Sequence, residues 1–240
     1  MKINAETRLT SIPWIRIGAE SAAIVASILI AFAIDSWWAD RNEGKARKEL
    51  VAAMLLDFQE TISAADATRA ELVEQIERVK SFQRLIDERG EPPLADLRAF
   101  LAPAFITESF RRSVSSYDSA LSSGAIGLVD SADFSAAMSR FTEALERYKL
   151  HEQLWLQFLY IGPNAELQQK LGDVRVLLKD PETLQSRFAL KGVALRQAYS
   201  DKLVYANSRT ALISKQIKVQ RLTEMRDSLR EAIEALNALD

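Results

Sequence analysis

The sequence predicts an all-α protein in which an N-terminal transmembrane helix continues into an elongated antiparallel helical bundle or coiled coil. Glycine and proline are scarce, with 8 and 6 residues in 240, so few positions suit the tight turns of a many-stranded sheet. Apolar residues recur at three- and four-residue steps over long stretches, which is typical of helices that pack along one face. One apolar segment near the N-terminus predicts the membrane span.

This apolar segment runs from Ile17 to Ile34. Trp14 precedes it and Trp37-Trp38 follows it, and tryptophan favours the two interfaces of a bilayer. As a helix, the stretch from Trp14 to Trp37 is roughly 34 Å long at ~1.5 Å per residue, close to the ~30 Å hydrocarbon thickness. We therefore predict that Trp14, Trp37 and Trp38 lie at the membrane interfaces.

Two alternatives to a retained anchor stay open, because the uncharged run from Ser21 to Ile34 is short for a full span. Runs of this kind also occur as buried core helices. The other alternative is a cleaved signal peptide, for which Ala31-Phe32-Ala33 is an acceptable cleavage site. Its basic leader would consist of Lys2, Arg8 and Arg16. We favour the retained anchor, since a helix between two tryptophan belts is typically inserted in the membrane.

Breaks in the helical pattern predict an N-terminal tail (1–12), an anchor helix (13–38) and a helical bundle domain (39–240). The breaks are Gly90 to Pro93, Pro103, Gly124, Gly162-Pro163 and Pro181. They predict long helices at about 39–89, 131–178 and 181–239, and short helices at about 94–102 and 108–121. Gly124 is predicted to be a structural turn, a helix stop in the left-handed conformation. Ser131 is predicted to cap the helix that follows.

Heptad-like spacing predicts which helix faces pack together. In the last helix, three- and four-residue steps alternate through Leu222, Met225, Leu229, Ala232, Leu236 and Leu239. The seam predicted upstream has a five-residue slip before Leu222 and consists of Tyr199, Leu203, Ala206, Thr210, Ile213 and Ile217. The seam predicted in the first helix consists of Leu50, Met54, Phe58, Ile62, Ala65, Leu72, Ile76, Val79 and Ile86. The similar lengths of the two helices favour antiparallel packing.

Two blocks of residues carry a resemblance to a known family. The first block is Glu20, Ile28-Leu29-Ile30-Ala31 and Trp37, followed by Arg41, Glu49-Leu50 and Asp57. The second is Tyr117 to Gly124, followed by Leu128-Val129. Together they resemble the anchor and middle elements of a bacterial family of single-pass membrane proteins of unknown function. This chain has Ala19 and Ser27 where that family usually has glycine. The resemblance implies a single-pass topology and brings no known activity.

No motif in the sequence points to catalysis, and we predict that the protein is not an enzyme and needs no cofactor or metal. The chain has no cysteine and a single histidine, His151, which excludes thiolate chemistry and a two-histidine metal site. His151 is predicted to be a solvated or hydrogen-bonded residue on a helix. Lys and Arg (31) nearly balance Asp and Glu (33), so charge gives no reason to expect nucleic acid as a partner.

Glu20 is the sequence's best candidate for a functional residue, because an ionisable group in a membrane span is rarely placed there without a role. Small residues surround it in two stripes, and small residues allow helix backbones to approach in lipid. The stripes consist of Gly18, Ala22 and Ala26, and of Ala19, Ala23, Ser27 and Ala31. Three interpretations stay open: Glu20 reaches the interface, it bonds across a homo-oligomer, or it contacts another membrane protein or has a proton-linked role.

The last helix also carries a basic stretch, which we interpret as a solvated face. Its charges are Arg209, Lys215, Lys218, Arg221, Arg226 and Arg230, with Glu224 and Asp227. Pairing with Glu71, Glu74 and Glu77 of the first helix is the second interpretation, since mixed charge is ordinary beside a coiled-coil seam. Contact with anionic lipid headgroups is the third.

These patterns predict a membrane-anchored, non-enzymatic helical scaffold or interaction protein, and the resemblance implies that it belongs to the bacterial envelope. The alternative is a membrane-tethered sensory or ligand-binding module, because helical bundles bind small molecules between helices. The expected partners are the lipid bilayer and either a second copy of the chain or another membrane protein. Basic residues on the two sides of the span balance, and the resemblance favours an inner-membrane protein with a cytoplasmic N-terminus and an extracytoplasmic, periplasmic domain.

Overall fold

The structure is a computed structural model that describes residues 14–88, 108, 110–161 and 202–239. Its described residues form helices and turns without a β-strand, which confirms the predicted all-α class. The elements in chain order are α1 (Trp14–Asp87), α2 (Ser115–Ser123), the 3-10 helix η1 (Ala125–Leu128), α3 (Ala132–Tyr160) and α4 (Lys202–Asn237). The chain divides into two units, Met1–Leu50 and Val51–Asp240.

Within the second unit, α4 runs antiparallel to α1. Near one end Arg226 Nη1 lies 3.3 Å from Asp66 Oδ1, and near the other Gln83 Nε2 donates to Ser208 Oγ over 3.2 Å. Residue numbers therefore rise along α1 as they fall along α4. The predicted antiparallel packing of the first and last helices is confirmed.

The third long helix of this unit, α3, also runs antiparallel to α4. Arg140 pairs with Glu231, and further along α3 the His151 ring lies within hydrogen-bond distance of Ser214. Since α1 and α3 are both antiparallel to α4, they are parallel to each other. The described residues of the second unit thus form a bundle in which α1, α3 and α4 share one core.

Buried side chains follow a heptad seam along each of these helices. The predicted residues Met54, Phe58, Ala65, Leu72, Ile76 and Val79 are buried on α1, while Leu50, Ile62 and Ile86 are half-buried. On α4 the fully buried predicted residues are Leu222, Met225, Leu229, Ala232 and Leu236. Leu239 is half-buried at the end of the chain. The apolar seams read from the sequence are therefore confirmed for α1 and for the second half of α4.

The seam predicted for the first half of α4 is wrong. Ala206 and Thr210 are exposed, Ile213 is 56% exposed and Ile217 is half-buried, while Tyr199 and the Leu203 side chain lie outside the described residues. The observed seam is Val204, Ser208, Ala211, Lys215 and Lys218. It alternates four- and three-residue steps into Leu222, so the predicted five-residue slip does not exist. The physical reason is that two lysines, which were assigned to the surface, occupy core positions.

The short helix predicted at 108–121 begins later, at Ser115, because contacts with α1 hold the preceding residues in another conformation. Thr61 Oγ1 donates to the Ser113 carbonyl over 2.7 Å and accepts from the Ser113 amide over 2.9 Å. The Asp57 carboxylate then accepts from the Ser116 amide over 2.8 Å. A side chain of α1 therefore caps the N-terminus of α2, since Val114 at the cap position contributes no side-chain bond.

Several predicted segments lie outside the described residues: the tail at 1–12, the short helix at 94–102, the part of the third long helix after residue 161 and the part of the last helix before residue 202. Within the description, α3 ends at Tyr160, just before the predicted break at Gly162-Pro163. Ser131 caps α3 as predicted, since its side chain accepts from the Phe134 amide over 3.2 Å.

Gly124 ends α2 with φ of +78°, the left-handed conformation predicted for it. Replacement of Gly124 by valine is expected to lower the free energy of unfolding by about 1 kcal/mol or more, because a β-branched residue is strained at positive φ. Chemical denaturation of the detergent-solubilised full chain measures this effect.

Gly127→Val is the matched control, since Gly127 has open space around its Cβ position and no positive φ. Equal stabilities of the Gly124 and Gly127 variants would contradict the importance of the left-handed turn.

Candidate functional site

The N-terminal part of α1 has the properties of a membrane span. It contains an 18-residue window with mean hydropathy 1.8, of which 0% is buried. By length and composition, this is the one described helix able to cross a membrane. A helix in the core of a soluble protein would bury such a window, whereas this one exposes it.

The residues predicted to act inside the span lie on this exposed surface. Gly18, Glu20, Ala22, Ala23, Ala26 and Ser27 are all exposed, and the Ala19 side chain lies outside the described residues. Ser27 Oγ donates over 2.8 Å to the Ala23 carbonyl within the same helix. A Cβ added to Gly18 would meet nothing within 4 Å. The small-residue face is thus present and open.

Two aromatic rings lie at one end of the candidate span. Trp37 and Trp38 are both more than half exposed, and their ring centroids lie 6.2 Å apart. The Arg41 guanidinium lies 5.6 Å from the centroid of the Trp37 ring, a cation–π geometry. The side chain of Trp14, the predicted marker of the other end, lies outside the described residues.

A second candidate site lies in the core of the bundle, where charged groups are buried. We call it the polar layer and define it as Gln75, Glu108, Tyr148, Lys215 and Lys218. Lys215 Nζ donates to Gln75 Oε1 over 2.5 Å and to Glu108 Oε1 over 3.1 Å. The side chains of Lys215 and Glu108 are only 2% and 3% exposed. This ion pair is therefore fully inside the protein.

Lys218 lies beside this ion pair with 1% of its surface exposed. Its Nζ is 5.9 Å from the centroid of the Tyr148 ring. Within the described part of the chain, Lys218 Nζ, Tyr148 Oη and Glu108 Oε2 are buried polar atoms without a hydrogen-bond partner. Such atoms are uncommon in protein cores and each needs a physical explanation.

Burial dominates the electrostatics of the polar layer. It lowers the pKa of Lys215 and of Lys218 below the usual value, and the negative charge of Glu108 opposes this effect at both lysines. Burial, reinforced by the charges of Glu152 and Glu108, raises the pKa of the Tyr148 hydroxyl. Burial therefore favours the neutral forms of Lys215, Lys218 and Tyr148 more than water does.

His151 lies next to this layer and is half-buried. Its Nε2 is 3.0 Å from Ser214 Oγ and 3.2 Å from the Ser214 carbonyl oxygen. Burial lowers the pKa of His151, partly opposed by the hydrogen bond to Ser214. The histidine is thus a hydrogen-bonded helix residue, one of the two roles predicted for it. No group of three or more potential metal-ligating side chains occurs among the described residues.

The interpretation of the basic stretch of α4 as a solvated face is therefore correct for the exposed Arg209 and Arg230 and wrong for Lys215 and Lys218. Lys215 and Lys218 lie in the core, while Arg226 and Arg230 lie near Asp66 of α1. The predicted partners Glu74 and Glu77 instead pair with Arg78 and Lys80 of their own helix. The seam spacing continues unbroken upstream from Leu222, so allowing lysine at seam positions predicts that Lys215 and Lys218 are buried.

A surface groove of about 610 Å³ lies between the α2 region and α3. Its lining mixes apolar side chains with charges of both signs and includes Arg112, Tyr117, Asp118, Leu121, Phe141 and Lys149. Arg112 and Asp118 pair with each other over 3.2 Å. The groove therefore has no electrostatic bias toward one class of ligand.

Comparison of the chain with protein-family models, with curated proteins and with solved structures finds no significant match. The resemblance to the bacterial single-pass family thus stays a prediction.

Proposed function

We propose that this protein is a membrane-anchored, non-enzymatic helical scaffold or interaction protein of the bacterial envelope. One observation carries the proposal: the apolar window of α1 is fully exposed, and the same helix continues without interruption into the bundle. An exposed apolar surface of this length is unfavourable in water and favourable in lipid. The bilayer is therefore the first proposed partner.

Features of the same helix support retention of the segment over its removal as a signal peptide. α1 is helical through the potential cleavage site at Ala31-Phe32-Ala33, so cleavage there would divide one continuous helix. The exposed Trp37 and Trp38, with Arg41 above one ring, suit the membrane interface. We further propose the inner membrane as the location, with the N-terminus in the cytoplasm and the bundle outside it.

A surface on α3 supports the interaction role. Leu150 and Leu154 are more than half exposed, and Ile161, just beyond the end of the helix, is 81% exposed. The spacing of four and seven residues puts them on one side of α3. Contiguous exposed apolar side chains are a common feature of protein-binding surfaces.

The alternative function, a membrane-tethered sensory or ligand-binding module, is supported by a different observation. The polar layer holds two buried lysines with one buried carboxylate, and three of its polar atoms lack partners among the described residues. Polar groups inside helical bundles are a frequent basis of ligand sites.

The protein is expected to fractionate with membranes and to resist alkaline carbonate extraction, because a spanning helix is inserted in the bilayer. Immunoblotting of membrane and soluble fractions measures this. Recovery of a shortened soluble form beginning at Ile34 would establish the signal-peptide alternative instead. On spheroplasts, protease is expected to digest the bundle, and full protection of it would contradict the proposed orientation.

Association through the span is expected to depend on the small-residue face. Ala22→Leu and Ala23→Leu should weaken oligomers, because larger side chains hold the helix backbones apart. Glu20→Gln should preserve them, since glutamine still hydrogen-bonds across helices, whereas Glu20→Ala should weaken them by about 0.6–2 kcal/mol. A genetic reporter of transmembrane association compares the four variants with the parent.

Phe32→Leu is the matched control for this experiment, because it keeps an apolar side chain away from both small-residue stripes. If the parent and every variant score as monomeric, the span is a passive tether. The interaction function would then belong to the bundle alone.

A further inference from the structure

The core of the bundle changes character along its length. In one half the seam is apolar, and its fully buried side chains include Met54, Phe58, Phe134, Phe141, Leu222, Met225 and Leu229. In the other half the polar layer replaces part of this seam, and Ser208 and Ser214 are buried beside it. We call these the apolar half, with α4 residues 222–236, and the polar half, with α4 residues 204–218.

In the polar half, specific polar bonds join the helices in addition to the buried apolar side chains of Leu72, Val79 and Val204. Lys215 bonds to Gln75 of α1 and to Glu108, and Gln83 of α1 donates to Ser208 of α4. Removing two ammonium groups and a carboxylate from water is costly, and their attraction rarely returns more than this cost. Unpartnered atoms such as Lys218 Nζ and Tyr148 Oη add to it.

Apolar side chains of similar volume at these positions often give equal or greater stability. The polar layer therefore does not make the bundle as stable as this backbone allows. Regions that move in proteins are drawn from the parts of the structure with low local stability. The polar layer is therefore the part of the seam where the helices are expected to separate most easily.

We propose that the polar layer is an opening point built into the bundle. The first half of α4 separates there from α1 and α3, while the apolar half keeps the three helices associated. Opening returns the Lys215 and Lys218 ammonium groups and the Glu108 carboxylate to water, which offsets part of the lost contact. Opening at the polar layer gives either proposed function a moving element. The proposal itself depends only on the geometry of the core.

Hydrogen exchange followed by mass spectrometry tests the proposal on the full chain in detergent micelles. Amides of residues 204–218 are expected to exchange at least about tenfold faster than amides of residues 222–236, a difference of ~1.4 kcal/mol in opening free energy. Similar protection of the two halves of α4 would overturn the proposal.

A triple variant separates opening at the polar layer from simple fraying at the start of α4. Glu108→Met, Lys215→Met and Lys218→Met together keep the side-chain volume and remove the buried charges. This variant is expected to slow exchange of residues 204–218 to within about threefold of residues 222–236, because the layer then resembles the apolar half. Fraying would leave the exchange of residues 204–218 unchanged.

The matched control is Glu146→Met with Lys149→Met, which removes an exposed ion pair of α3. It should leave exchange in α4 as in the parent. Unchanged or faster exchange in the triple variant would refute an opening role for the polar layer. Failure of the triple variant to fold would refute it as well, since the charges would then stabilise the bundle.

Discussion

Replacement of Glu108 by alanine is expected to lower the free energy of unfolding by about 3–5 kcal/mol, because it leaves the Lys215 ammonium buried without its carboxylate. Lys215 Nζ lies 3.1 Å from Glu108 Oε1, and both side chains are almost completely buried. Gln75 remains as an uncharged acceptor, and the negative charge of Glu71 still acts on Lys215, but the direct ion pair is lost. Urea denaturation of the full chain in detergent, followed by circular dichroism, measures the loss.

The control for this prediction is Glu143→Ala, which removes an exposed partner of Arg147 on α3. Exposed pairs contribute little, so this variant should differ from the parent by less than about 1 kcal/mol. If Glu108→Ala loses no more stability than Glu143→Ala, the buried pair is not a significant interaction. Glu108→Ala removes one partner of the ion pair and leaves a buried charge, so it should lower the free energy of unfolding. The triple methionine variant removes all the buried charges of the layer, so it should slow hydrogen exchange.

Phe58→Ala is expected to lower the free energy of unfolding by about 3–5 kcal/mol through the cavity it creates in the apolar half. The Phe58 side chain has no exposed surface and stacks on Phe134 of α3, with 6.4 Å between the ring centroids. Few neighbours can fill the space, because α1 and α3 both contribute rigid helical backbone there. The same denaturation experiment measures this effect.

Leu56→Ala is the matched control, since Leu56 lies two residues away on α1 and is 69% exposed. Leu56→Ala should change the free energy of unfolding by no more than about 0.5 kcal/mol, as for most surface substitutions. Similar losses from Phe58→Ala and Leu56→Ala would mean that α1 and α3 do not share the core described above.

Apolar periodicity was sufficient to predict the fold class and the core of the apolar half. Leu222 to Leu236 and Met54 to Ala65 carry apolar side chains at their seam positions, so the spacing of the sequence and the buried face coincide there. Leu72, Ile76 and Val79 continue the apolar seam of α1 beside the polar layer. Gly124 was predictable for a similar reason, since a glycine after a helical run is the common device for a left-handed stop.

The polar layer was not predictable in the same way. The sequence indicated that Lys215 and Lys218 are surface residues, because lysine is rarely fully buried. The partner of Lys215, Glu108, is more than one hundred residues away in sequence, and nothing local indicates the pairing. The predicted seam was placed on the wrong face because it included the apolar Ile213, which is exposed, and Ile217, which is half-buried.

The start of α2 was mispredicted for a related reason. Residues 110–114 have no proline or glycine that would prevent a helix. Their conformation is set by Thr61, whose hydroxyl satisfies both backbone groups of Ser113. Tertiary contact of this kind routinely overrides local helix preference.

The capping of α2 by Asp57 has a consequence for the order in which the chain folds. A helix of nine residues is too short to persist alone in water, and this one obtains its N-terminal cap from a residue 59 positions before Ser116. α2 can therefore become stable only after α1 is formed and Ser116 has reached Asp57. Because α1 is synthesised first, the Asp57 carboxylate is already available to accept hydrogen bonds when Ser115 and Ser116 are synthesised. We expect α2 to be a late element of folding, with its kinetics governed by loop closure and not by its own helix propensity.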